Sequence, residues 1–187
     1  MLVMAVAGCY KEPVPSYKLV PADHRIYLSG RGLESFPVVN RNADYLNLDR
    51  NRLRDVTGVE KLVGLKWLRL NNNLLSSLPD IAGLTKLRRI YLKGNLFKEV
   101  PEQLKNLPSL TDVELSDNPI TQVPTWLVKK GGLKNVSFNG TLISKLPDDL
   151  SGWKSLHMLQ LGNTPVSNDP AEMARIRKQL KDVSIIF

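Results

Sequence analysis

Pairs of apolar residues separated by one residue recur along the chain at a nearly constant interval: Ile26/Leu28, Leu46/Leu48, Leu68/Leu70, Ile90/Leu92, Val113/Leu115, Val136/Phe138 and Leu159/Leu161. Their first members lie 20, 22, 22, 23, 23 and 23 residues apart, a spacing that marks a solenoid. Side chains alternate along an extended chain, so each pair predicts a short strand with one apolar and one polar face. Three positions after each pair stands Arg31, Asn51, Asn73, Asn95, Asn118, Thr141 or Thr164, and two further on Leu33, Leu53, Leu75, Phe97, Ile120, Ile143 or Val166. Another three residues lead to Phe36-Pro37, Val56-Thr57, Leu78-Pro79, Val100-Pro101, Val123-Pro124, Leu146-Pro147 and, degenerate, Asp169-Pro170. Strands that return through connections of this length run parallel. Seven of them stacked at about 4.8 Å give a sheet about 29 Å long, whose core is continuous because no repeat buries its apolar face alone.

The asparagine position has a backbone role. At a tight turn beside the core, an amide supplies both a donor and an acceptor to main-chain groups that burial would otherwise leave unpaired. Thr141 and Thr164 offer only a hydroxyl, which predicts less complete satisfaction in the late turns, and Arg31 marks the first repeat as an irregular N-terminal cap. Proline behind the outer apolar position suits an extended connection, so the back of the stack is expected to be polyproline-like with short turns. Asp169-Pro170-Ala171-Glu172 reads as an N-cap, a first-turn proline and a capping-box glutamate. Met173, Ile176 and Leu180 then fall at helical spacing, and Val183-Ser184-Ile185 alternates into a final strand. Helix and strand together are expected to shield the open end of the stack.

The repeat resembles the leucine-rich repeat family, L-x-x-L-x-L-x-x-N-x-L, most cleanly from Leu65 through Leu68, Leu70 and Asn73 to Leu75, and the resemblance covers about residues 24 to 170. Its length and Leu-Pro turn look like the typical or bacterial classes of that family. The resemblance implies an α/β fold, a leucine-rich repeat solenoid forming a curved right-handed superhelix. It would have about seven repeats with short parallel strands on the concave face, and a C-terminal capping helix plus strand. It also implies non-catalytic protein recognition on the concave face, without cofactors or a small-molecule substrate. The chain divides into residues 1–9, the Pro-rich residues 10–23, the repeats at 24–169 and the cap at 170–187.

Period two turns the strands into a map of the exposed face. The column before each pair reads Arg25, Tyr45, Trp67, Arg89, Asp112, Asn135, Met158, and the column inside it reads Tyr27, Asn47, Arg69, Tyr91, Glu114, Ser137, Gln160. The column after it reads Ser29, Asp49, Asn71, Lys93, Ser116, Asn139, Gly162. Aromatic and arginine side chains concentrate in the first four repeats, acidic ones in the fifth. Rigid rings beside guanidinium groups are the usual substance of binding hot spots, which selects Trp67, Arg69, Tyr45, Tyr91 and Arg89, with Arg25, Tyr27, Asn47, Lys93, Asp112 and Glu114 around them. The same residues also suit a strand and keep an exposed sheet soluble.

Met1 to Gly8 are uncharged and stop at Cys9. Eight residues span only about 12 Å as a helix, too short for a bilayer core of about 30 Å. Val6-Ala7-Gly8-Cys9 resembles a bacterial lipobox, which would make Cys9 the lipidated first residue of a mature envelope protein held off the membrane by residues 10–23. No Lys or Arg precedes Cys9, unlike a full secretory signal, and a start lying further upstream accounts for the departure. The alternative is a short apolar segment packed on the first repeat, with Cys9 an ordinary buried thiol.

The 187 residues suffice for one domain, and 42% hydrophobic with 24% charged residues is a globular composition. One cysteine removes a disulfide framework and multi-cysteine zinc sites, and His24 and His157 are far apart. No phosphate-binding Gly-rich loop, H-E-x-x-H or G-x-S-x-G run occurs, and Asp148 and Asp149 read as solvated turn residues. A net charge of +8 keeps a second function open, binding an anionic glycan or nucleic acid. Lys98, Lys105, Lys129, Lys130 and Lys134, however, fall on connections and accompany no nucleic-acid motif. A cytosolic repeat scaffold without lipid is the third reading.

Overall fold

The computed structural model describes residues 24–187; Cys9, the lipobox-like run and the Pro-rich segment lie outside them. Eight strands of three residues each form one sheet: β1 Arg25–Tyr27, β2 Tyr45–Asn47, β3 Trp67–Arg69, β4 Arg89–Tyr91, β5 Asp112–Glu114, β6 Asn135–Ser137, β7 Met158–Gln160 and β8 Ser184–Ile186. They lie in sequence order and every pair is parallel. The central residues Ile26, Leu46, Leu68, Ile90, Val113, Val136, Leu159 and Ile185 face one another without a slip. The seven expected strands are all present. The terminal strand joins their sheet as an eighth and starts one residue later than the alternation predicts. Register decides this, because Ile185 takes the core position opposite Leu159.

Behind the sheet, the paired apolar residues, the residue two beyond each asparagine, and Val56, Leu78, Val100, Val123 and Leu146 at the outer turns form one core running the length of the stack. The short turns expected on the back take defined helical forms. Short 3-10 turns occupy Val59–Lys61, Glu102–Asn106 and Pro165–Asn168, and a single α-helical turn, α1, spans Thr125–Lys129. Apolar residues three apart explain the turns: Leu104 and Leu107, like Val59 and Leu62, are buried together only if the backbone turns between them. At α1, Leu127 and Val128 point inward, and the Leu127 carbonyl accepts the Trp153 indole N–H at 3.0 Å. Gly152 lies so close beneath α1 that an added Cβ would stand 2.4 Å from the Val128 carbonyl oxygen.

Each asparagine of the repeat binds its own turn to the preceding one. The Asn73 Nδ2 donates to the Leu70 carbonyl at 3.0 Å and to the Leu48 carbonyl one repeat away at 3.0 Å, while its Oδ1 accepts from Leu53 N–H at 3.1 Å. Asn51, Asn95 and Asn118 repeat the pattern. Thr141 donates only to Phe138 O within its own turn, at 2.7 Å. Thr164 donates to Leu161 O and accepts from Ser167 N–H, capping the 3-10 turn that follows. The late turns are therefore less cross-linked, as their hydroxyls predict. Arg31 stays exposed, and its backbone N–H donates to Asn51 Oδ1 at 2.9 Å.

Helix α2, Pro170–Gln179, starts where the sequence places it, with the Asp169 carboxylate accepting from Ala171 and Glu172 N–H. Glu172 does not turn back to complete a capping box. The Asp169 N–H is already bonded to Val166 O, and the Glu172 carboxylate crosses to the sixth repeat to accept Leu146 N–H at 3.0 Å. Arg175 forks onto that carboxylate at 2.7 and 2.8 Å and donates to the carbonyls of Leu146, Pro147 and Asp148. Gln179 adds bonds to Leu150 N–H and Asp148 O. Three side chains of α2 thus supply hydrogen bonds to the exposed backbone at the end of the stack.

Candidate interaction surface

In every strand the central side chain enters the core and its neighbours point to the other side, so two of the predicted columns stand on the outer face of the sheet. Strand spacing brings their aromatic members into contact. The rings of Tyr27 and Tyr45 lie 5.1 Å apart and those of Tyr45 and Trp67 5.8 Å apart, both pairs tilted. The Arg89 guanidinium lies 4.6 Å from the centre of the Trp67 ring, and that of Arg69 5.0 Å from the Tyr91 ring. Tyr27, Tyr45, Trp67 and Arg89 therefore form one run across four adjacent strands. Its most open ring is Tyr27, 56% exposed, followed by Trp67 at 38%.

The charges are largely matched from within. Arg69 donates through Nε and Nη2 to Asp49 at 2.8 and 2.7 Å. Burial works against its charge, but the bond and the neighbouring Asp49 outweigh it and hold the guanidinium above its ordinary pKa. Arg89 stands 3.7 Å from Asp112, and Lys93 pairs with Asp117 at 3.3 Å. Asp112 also accepts from Thr111 and Asn135. The carboxylate of Glu114 accepts Ser116 N–H at 2.8 Å and the amide oxygen of Asn47 accepts Asp49 N–H at 2.9 Å, so both side chains brace the turn after their strand. Arg25 remains exposed beside Tyr27 at the sheet edge.

The third predicted column is only partly exposed. Asp49, Asn71 and Ser116 are buried, because the side chain here reaches the next repeat: Asp49 accepts Asn71 N–H at 2.7 Å, Asn71 accepts Lys93 N–H at 2.9 Å, and Asn139 accepts Gly162 N–H at 2.7 Å. This second polar ladder was missing from the sequence map. Its signal was the run Asp49, Asn71, Asn139 at a fixed offset, the same kind of evidence that marked the asparagine turns.

Reading one position earlier than the first column reveals another row, Asp44, Lys66, Arg88, Thr111, Lys134 and His157, each N–H bonded to the carbonyl of the preceding member. Lys66 pairs with Asp44 at 3.3 Å. Further along, a cleft of about 650 Å³ opens between Trp67, Arg88 and Arg89 on one side and Lys134 and Asn135 on the other, floored by Pro108 to Thr111. Lys134, on a connection in sequence, thus stands beside this cleft. Lys130, on a connection, is partly buried: its ammonium donates to the carbonyls of Lys105 and Leu107 at 3.0 and 2.8 Å, and burial lowers its pKa.

A depression of about 930 Å³ lies on the back around Val123, Lys145, Asp148 and Asp149. Hydrogen bonding and charge from Lys145 lower the Asp148 pKa, and bonding to Ser151 lowers that of Asp149. Both exposed carboxylates are therefore ionised at neutral pH. Among the described residues no group of three acidic, cysteine or histidine side chains is placed to hold a metal, and no helix is long and apolar enough to cross a membrane.

A family model described as "Leucine rich repeat" matches residues 41–97 and 63–120. Among solved structures, a leucine-rich repeat protein of Leptospira interrogans is similar to this chain with a TM-score of 0.64 and 23% identity, over 83% of this chain and 46% of that one. The chain thus spans about half the length of that protein, and the likeness shows the fold. No curated protein matches the sequence.

Proposed function

The chain is a leucine-rich repeat protein, and from that premise we propose that it is a non-catalytic recognition module that binds a protein ligand on the outer face of its sheet. The contiguous run Tyr27, Tyr45, Trp67 and Arg89 carries this reading. Rings held by their neighbours bury area on binding with little loss of side-chain entropy, and an arginine stacked on indole is desolvated cheaply. Arg69 and Tyr91 extend the surface across the next column. Asp49 fixes the Arg69 fork, so the face is organised before a ligand arrives.

In the same reading, Cys9 carries the lipid that holds the module on a bacterial envelope membrane, with residues 10–23 as spacer. The support for this is the Val6-Ala7-Gly8-Cys9 run and the prolines that follow it. Expression from native upstream DNA, beside a Cys9→Ser control, should give a cleaved, lipid-heavier, membrane-partitioning species that the control lacks. An unmodified soluble chain would remove the anchor and leave the recognition module intact.

The face is tested with a partner captured by the wild-type protein. Tyr27→Ala/Arg69→Ala should unfold as a similarly cooperative unit and retain less than a tenth of the capture. Undiminished capture by this variant would overturn the assignment of the face.

A further inference from the structure

We propose that the cleft between Trp67, Arg88 and Arg89 on one wall and Lys134 and Asn135 on the other binds an acidic segment of a protein ligand, seating one or two of its carboxylates. The inference rests on the recognition reading above and gives its ligand a chemical character. Arg88, Thr111 and Lys134 are successive rungs of one backbone row, with N–H to carbonyl distances of 2.9 and 2.7 Å, so Arg88 and Lys134 stand two strand spacings, about 10 Å, apart. Among the described residues neither side chain has an ion-pair or hydrogen-bond partner, unlike Lys66, Arg69 and Lys93 nearby. Arg89 closes the same wall above the Trp67 ring, and the cleft of about 650 Å³ between them accommodates a few residues of extended chain.

Asp112, the one acid in the cleft, is engaged by Thr111 and Asn135 and lies 3.7 Å from Arg89. Three cations against one carboxylate leave an excess of two positive charges around a concave, partly apolar space. Arginine forks onto carboxylates and a nearby low-dielectric wall strengthens each contact. A continuous polyanion fits worse. Laid along the row or the sheet it would meet Asp44 at one end and Glu114 and Asp117 beyond the cleft, each repelling phosphate or sulfate. A short acidic stretch meets the cations and ends before those groups.

The test uses the full chain and a fluorescein-labelled hexaglutamate peptide at low salt, followed by fluorescence anisotropy. Arg88→Ala/Lys134→Ala is compared with Lys98→Ala/Lys105→Ala, which removes the same charge from exposed positions on the connections. Both variants should retain the wild-type circular dichroism spectrum. The expected result is a Kd raised at least tenfold for the cleft variant and less than twofold for the control. Equal weakening in the two variants would overturn the proposal by reducing it to net charge, as would absence of peptide binding to the wild-type protein. A heparin competitor that binds both variants alike and displaces the peptide from both would also overturn it, assigning the cations to a diffuse polyanion surface. None of these outcomes touches the aromatic face, whose own failure is undiminished partner capture by Tyr27→Ala/Arg69→Ala.

Discussion

Asn73 and Thr141 occupy the same place in the repeat and bond differently. The amide of Asn73 links two repeats through Leu48 O and Leu53 N–H, while the Thr141 hydroxyl closes only its own turn on Phe138 O. Asn73→Ala leaves buried backbone groups unpaired on both sides and is expected to cost about 3 kcal/mol, whereas Thr141→Val loses one bond and should cost about 1 kcal/mol. Urea denaturation of the two variants, with the m-value checked for constancy, measures the difference. The asparagine turns were legible because one residue type recurs at one offset. The ladder through Asp49, Asn71 and Asn139 was not, because period two alone puts those positions outside and only three-dimensional stacking shows their side-chain oxygens reaching the next N–H. The same limit hid the cleft. Arg88 and Lys134 lie 46 positions apart in sequence, and only the parallel ladder makes them neighbours across a single rung.

Elements obey the same division. Strands of three residues were legible from apolar pairs, since a buried centre with exposed flanks is the smallest unit of alternation. The short turns at Glu102–Asn106 and Thr125–Lys129 carry no period long enough to read, and tertiary burial of Leu104 and Leu127 chooses their conformation. Helix α2 was legible from its cap, but Glu172 follows the stronger demand of Leu146 N–H and Arg175. Arg175→Ala strands that buried carboxylate and is expected to destabilise the protein by about 3 to 5 kcal/mol, seen as a lower thermal midpoint. Hydrogen bonding from Arg175, ahead of the opposing effect of burial, lowers the Glu172 pKa in the folded chain. The folded value lies below the unfolded one, so this contribution is complete above the unfolded pKa of about 4.3 and is lost as pH falls through the folded value. Glu172→Gln should therefore be less stable at pH 7 and lose less further stability on acidification. Parallel pH-stability curves for wild type and variant would contradict that assignment.

At the scale of the whole molecule, eight strands in unbroken register make each repeat the support of the next. The cap belongs to this logic. Deleting residues 170–187 removes β8 and α2 together, opening the edge of β7 and stripping the Leu146 and Leu150 backbone of its side-chain partners. The shortened chain should elute as aggregates or oligomers in size-exclusion chromatography; a monomer as stable as the full chain would show that the cap is dispensable. The three-residue strands have a mechanical consequence as well. Each rung is held by only a few backbone hydrogen bonds, so a pull on the two ends loads the terminal repeats first and peels them in turn. Extension should then advance in a sawtooth of steps of about 75 Å, set by repeats of 22 and 23 residues. Such a chain yields to tension in instalments, and bonds on the remaining layers survive while the outer ones open.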